Sequence, residues 1–231
     1  MTVAAAAPVA TGRLRLSAVL AGLYLAQGVP GYLLVAAIPP ILRQHGVSRT
    51  TIGLLAVLMI PLTVKFLWAP LVDRIRPMAF GHRRGWILPT QAGTVLAIAA
   101  LALVEPTDIG AIFAIGFVVA LLTSTQDIAT DGYATLALAA EDRAVGNAIQ
   151  GGAIAASVIV GGTGALVLYE HAGWQATVLA VALVSTLPLV AIAFMPEDAG
   201  TRTAPLPGPP PSLRAFLGRP QAATALLVAL T

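Results

Sequence analysis

Six apolar segments follow one another along this chain with only short polar breaks between them, and they leave it one choice of solvent. They run Leu16–Ile38, Ile52–Val72, Trp86–Val104, Ile109–Ala134, Ala148–Tyr169 and Trp174–Met195. At a rise of about 1.5 Å per residue, each covers roughly the 30 Å of a hydrocarbon core. Charged residues make up 10% of the 231, where a soluble domain carries about 25%. Water therefore cannot be the main solvent of the surface; lipid must be. The first segment follows Arg13 and Arg15 as a signal peptide would, but it is too long for a signal core and precedes five more spans, so it reads as an uncleaved helix. The expectation is an all-α polytopic membrane protein.

The breaks between the spans give its orientation. Arg13, Arg15, Arg74, Arg76, Arg83, Arg84, Arg143, Arg202, Arg214 and Arg219 fall on one side, and only Arg43 and Arg49 on the other. Such an excess marks the cytoplasmic face, which puts the N-terminus inside and the protein in the cytoplasmic membrane. The formal charge of +3 is thus a topological signal, and no nucleic-acid partner is expected. Residues 1–15 read as a cytoplasmic tail, 16–195 as the helical bundle and 196–220 as a linker holding seven prolines, a composition that favours extended chain. Residues 221–231 read as the start of a seventh span.

Lys65 stands within the second span, where a lysine costs roughly 3 kcal/mol and needs a partner, water or a route to the interface. Two readings stay open: the stem snorkels, or the ammonium faces inward to bind an anionic substrate or neutralise an acid. Asp127, about 27 Å along the fourth span against about 20 Å for Lys65 along the second, is the acid within reach. Asp131 follows one turn later on the same face and reads as a secondary acid. Two carboxylates four residues apart raise each other's proton affinity, as burial does, and this suits Asp127 to proton coupling. The alternative is that both acids cap packing contacts with cytoplasmic arginines.

Gln27-Gly28-Val29-Pro30-Gly31 falls in the middle of the first span. Proline removes a backbone donor, glycine loosens the helix and Gln27 brings an amide into hydrocarbon. An interrupted helix at that depth points to a carrier's binding site; a proline kink is the other reading. Gln91, Asn147 and Gln150 repeat the signal more weakly. Small residues recur every fourth position at Gly116, Ala120 and Ser124, and again at Ala153, Ser157, Gly161 and Ala165. Such stripes let helices approach closely, for static packing or for sliding. Trp68, Trp86 and Trp174 lie at span ends as belt anchors. His45, His82 and His171 fall in loops on alternate sides. No metal site, cofactor motif or catalytic constellation stands out, and no phosphate-cradling glycine loop is present, so an enzyme is not expected.

Asp73-Arg74 followed by Gly81-His82-Arg83-Arg84 resembles the loop signature of the major facilitator superfamily, Gly-x-Leu-Ala-Asp-Arg-x-Gly-Arg-Arg. Ala69 stands where the first glycine is usual, and extra residues precede Gly81. The resemblance implies that Asp73, Arg74, Arg83 and Arg84 form a conformational latch. The longer run from Lys65 to Gln91 resembles the AmpG-like muropeptide permeases and the RhtX/FptX-type siderophore importers. Gln126-Asp127-Ile128-Ala129-Thr130-Asp131-Gly132 and Gly146-Asn147-Ala148-Ile149-Gln150 are closer to the siderophore branch. It implies the N-terminal six-helix half of a twelve-helix fold, proton-driven uptake of a small molecule by alternating access, and a C-terminal half as partner alongside the lipid bilayer. Gln27, Pro30, Lys65, Asp127 and Gln150 are then the expected substrate and proton pathway, in a cavity between the first, second, fourth and fifth spans. A siderophore is the first expectation for the cargo and an anhydromuropeptide the alternative. A dimerising six-helix protein, or a membrane sensor or scaffold on a transporter fold, are the rivals.

Overall fold

The computed structural model describes residues 7–79, 81–195, 218–222 and 224, with side chains from Gly12 on. By internal contacts the chain divides into two units, residues 1–199 and 200–231. In the second unit only a turn at 218–221, Ala222 and Thr224 are described. The proline-rich linker and the start of a seventh span therefore lie almost wholly outside the described residues.

The first unit is all helix among its described residues. Its helices are α1 (Gly12–Gln44), α2 (Arg49–Leu67, continued by Ala69–Arg74), α3 (His82–Leu103), α4 (Ile109–Ala137), α5 (residues 143–172) and α6 (residues 174–194). The last two belong to one helical stretch, Ala140–Phe194, whose 55 residues are long enough for two crossings. Gly173 divides them. Its φ of +78° breaks the helix and turns the chain back, a conformation that glycine adopts without steric cost. Five stretches of spanning length thus carry the six expected segments. The fourth holds Asp127 and Asp131 within it and runs unbroken to Ala137.

Prolines set the local geometry. Pro39 and Pro40 cannot donate to the carbonyls of Val35 and Ala36, and α1 widens into a π-helix over Leu33–Ala37. The interruption expected at residues 27–31 is therefore displaced: α1 stays α-helical through Pro30 and changes only after Tyr32. In α2 the turns before Pro61 and Pro70 tighten to 3₁₀ geometry, at Leu54–Met59 and Lys65–Leu67. In α6 a turn at 185–186 precedes Pro188, and the amide of buried Gln91 on α3 donates to the Ser185 carbonyl at 2.6 Å. The nearby break accounts for an amide at that depth, since a buried carbonyl needs a donor.

Helix α1 is central and packs on α4, α5 and α6, while α3 packs on α4 and α6, and α2 lies against α4. Apolar residues line two cores, one around Leu34, Leu58, Ile98 and Val178, the other around Leu20, Val72, Ile87 and Ile128. Both small-residue stripes are packed. On α4, a Cβ at Gly116 would stand 3.0 Å from Leu58 and 3.4 Å from Leu34. On α5, Ser157 abuts Gly28, and Gly161 lies against the Val29 carbonyl. A second π-helix, Val158–Gly164, forms there and contacts the first.

Polar side chains close both ends. At one, Arg15 Nε donates to the Phe194 carbonyl at 3.0 Å and Arg84 to that of Met195, which satisfies the free carbonyls at the end of α6. Arg13 Nε lies 3.4 Å from Asp142 Oδ2. At the other end, His45 Nε2 and the Tyr169 hydroxyl are 2.8 Å apart. Trp174, expected as a belt anchor, is buried and donates to the Leu101 and Val104 carbonyls at 2.9 and 2.8 Å, which caps α3. Trp86 donates to Ile75 and Trp68 to Thr125, so all three indoles have partners within the protein. His82 and His171 are helical, not in loops; His82 begins α3, and His171 Nδ1 lies 2.8 Å from the Val167 carbonyl oxygen.

Candidate functional site

A cavity of about 300 Å³ opens between α1, α2, α4 and α5. Tyr24, Gln27 and Tyr32 of α1, Thr123 and Asp127 of α4 and Gln150 of α5 supply its polar lining. Leu58, Met59 and Leu62 of α2 close one wall. The α1–α5 glycine approach sits beside it, which explains how the two amide-bearing helices come close enough to share one space. The Gln27 Nε2 is buried and has no hydrogen-bond partner among the described residues, so one donor at the cavity is unused. Pro30 is buried in packing and is absent from the lining, apart from the other candidates of α1.

Lys65 stands at the first residue of the 3₁₀ turn before Pro70, which turns it toward α4. Its Nζ donates to Asp127 Oδ2 and lies 3.9 Å from Asp131 Oδ2. Asp131 also accepts from the Tyr24 hydroxyl at 3.2 Å. A phenol, an ammonium and two carboxylates from three helices thus form one chain of polar contacts, and Asp127 brings it to the cavity. Tyr24 was not among the sequence candidates. A tyrosine in an apolar helix carries no charge cost to draw attention; only its spacing of three residues from Gln27, one turn along the same face, could have raised it.

The latch candidates lie at the end of the bundle where the chain begins. Arg83 Nη1 donates to Asp73 Oδ1 at 2.7 Å. The Arg83 guanidinium lies where a Cβ on Gly132 would be, so the start of α3 rests on α4 one residue from Asp131. Arg84 holds the end of α6 instead, and Arg74 is the last residue of the α2 extension. His82 Nε2, 2.8 Å from the Val72 carbonyl, fixes the start of α3 to the end of α2.

Comparison with known proteins gives a consistent picture. The family model of the Major Facilitator Superfamily matches residues 20–231. An anhydromuropeptide permease of Escherichia coli strain K12 is 34% identical over 219 residues, covering 92% of this chain and 44% of the permease. A Haemophilus influenzae protein of uncharacterized function is 30% identical over 172 residues, 74% of this chain and 40% of its own length. A Rickettsia felis protein provisionally named transporter AmpG 4 is 25% identical over 179 residues, 75% of this chain and 43% of its own. The chain spans less than half the length of these relatives.

Proposed function

The chain belongs to the Major Facilitator Superfamily, a transporter family and not an enzyme family, and on that premise we propose that it is the N-terminal six-helix half of a proton-coupled importer of anhydromuropeptides. The observation that carries the reading is the polar chain ending at the cavity, in which Lys65 is matched to Asp127 beside Gln27 and Gln150. An anhydromuropeptide combines sugar hydroxyls, amides and carboxylates. The amides of Gln27 and Gln150 suit the first two, and the Lys65 ammonium suits the third.

In this reading cargo enters the cavity and its carboxylate competes with the Asp127–Asp131 acid pair for Lys65. Protonation within that pair lowers the competition, so a proton and an anionic cargo bind together. The Asp73–Arg83 contact and the Arg84 contact to Met195 hold one arrangement of the bundle closed at its arginine-rich end, and their rupture accompanies the switch of access. That end faces the cytoplasm, as the arginine bias favours. The wall opposite the bundle is supplied by a C-terminal half.

The similarity to the Escherichia coli permease over 92% of this chain favours the muropeptide cargo over the siderophore expected first. Uptake by cells carrying the full-length gene tests it, with a labelled anhydromuropeptide and a labelled ferric siderophore supplied separately. Accumulation of the muropeptide alone is expected. Accumulation of the siderophore alone overturns the cargo, and flux of neither removes both cargoes and leaves the family assignment standing.

A further inference from the structure

Beside Lys65 there is one carboxylate more than the cation can match. Asp127 is bonded to the ammonium and keeps 14% of its side chain exposed, whereas Asp131 lies 3.9 Å away and keeps 45%. The nearest other partner of Asp131 is a neutral phenol, that of Tyr24. Arg83 of α3 reaches the same turn of α4, over Gly132, but its guanidinium is engaged by Asp73. Asp131 is thus faced by a phenol from α1, an ammonium from α2 already bonded to Asp127, and a guanidinium from α3 engaged with another acid. Its own helix adds only a second carboxylate. A surplus charge at membrane depth costs several kcal/mol, and uptake of one proton removes it.

We propose that Asp131, and not Asp127, takes up the coupling proton, and that Tyr24 is the positioning residue joining it to the cavity. The inference rests on the carrier reading above. Asp127 is the poorer carrier because its oxygen is held by Lys65 and its side chain is the less exposed of the two. Asp131 keeps the larger exposed share and is not bonded to the ammonium, so it can exchange. In the step itself, the Asp131 carboxylate accepts a proton from water on one side of the membrane and becomes a neutral acid. It returns the proton to water on the other side; no bond to the cargo forms and no electrons move. Neutral Asp131 no longer attracts Lys65 and no longer needs the Tyr24 hydroxyl as a donor. The phenol, already part of the cavity lining, then becomes available to an anionic cargo, which has Asp127 alone to compete with for the ammonium.

The test uses the full-length protein in lipid and has a readout apart from transport. Infrared difference spectra between alkaline and acidic buffer should show the C=O stretch of a protonated carboxylic acid in the wild type. Asp131→Asn should lose that band, and Tyr24→Phe should move the pH at which it appears. In proteoliposomes with an imposed pH gradient, labelled anhydromuropeptide should accumulate above equilibrium in the wild type and only reach equilibrium in Asp131→Asn. A band that survives Asp131→Asn and vanishes in Asp127→Asn overturns the assignment. Uphill uptake by Asp131→Asn at the wild-type level overturns it independently of the spectra. A wild type that keeps the Asp131 band but accumulates cargo under no pH gradient, or only under a sodium gradient, overturns the proton-coupled carrier reading instead.

Discussion

The Arg83 guanidinium occupies the space that a side chain on Gly132 would need, and from there it reaches Asp73 at 2.7 Å. An arginine in the first turn of α3, the end of α2 and a glycine of α4 are therefore fitted to one another, one residue from the acid that faces Lys65. The latch and the polar chain share a helix turn, so a change at one is felt at the other.

Gly132→Ala tests that fit. The added methyl displaces a flexible guanidinium and not backbone, so the bundle should still fold and insert. The Asp73 contact should be lost, and uptake by the full-length protein should fall about tenfold, which corresponds to about 1.4 kcal/mol. Gly53→Ala is the control, since a Cβ there meets nothing within 4 Å. Uptake rates normalised to inserted protein decide the matter; equal rates in the two variants remove the contact from the transport cycle.

The crossing of α1 and α5 makes a sharper comparison. A Cβ on Gly161 runs into the Val29 carbonyl oxygen, whereas a Cβ on Gly28 runs into the Ser157 side chain. Both substitutions overpack a closed interface and should cost about 1–3 kcal/mol. Ser157→Gly should restore much of the stability lost in Gly28→Ala, because it removes the obstacle. It should not restore Gly161→Ala, whose obstacle is backbone. Thermal unfolding in detergent of the single and double variants gives the coupling energy directly.

The sequence made some of this legible for identifiable reasons. Membrane spans impose a long apolar run, so the helices were found within a few residues of their ends. Charges in hydrocarbon are rare, so Lys65, Asp127 and Asp131 stood out, and counting residues along the helices brought Lys65 and Asp127 within reach of each other. Tyr24 stayed hidden because a phenol sits in an apolar helix without an obvious cost. Trp174 was misplaced because belt anchoring and helix capping use the same residue at the same depth. The interruption of α1 was expected at residues 27–31 and lies instead at Leu33–Ala37, before Pro39 and Pro40; which carbonyls lose their donors determines where a helix widens, and composition alone does not say how the chain adjusts.

Stability should rank the members of the polar chain. Lys65→Ala leaves Asp127 and Asp131 facing each other with their cation removed, and breaking such a pair from one side costs about 3–5 kcal/mol. Asp127→Asn leaves Lys65 with Asp131 already 3.9 Å away, so it should cost about 1 kcal/mol, near the value of one hydrogen bond. Lys65→Ala combined with Asp127→Asn should recover part of the single-variant loss. Melting temperatures of purified full-length variants check the order, and a Lys65→Ala variant as stable as Asp127→Asn would show that the ammonium reaches water by itself.

Because the chain has no cysteine, its orientation can be read from single introduced thiols. Thr107, between α3 and α4, and Ala140, between α4 and α5, are both exposed and lie at opposite ends of the bundle. With the arginine-rich end in the cytoplasm, Thr107→Cys should react with a membrane-impermeant maleimide added to right-side-out vesicles. Ala140→Cys should react only after the vesicles are made permeable. Neither position contributes to the cavity lining, so both variants should transport as the unmodified protein does. The reverse labelling pattern would invert the bundle. It would place the Arg83–Asp73 contact and the exposed flank of Asp131 on the outer face, so that proton entry, and not release, would occur at that end.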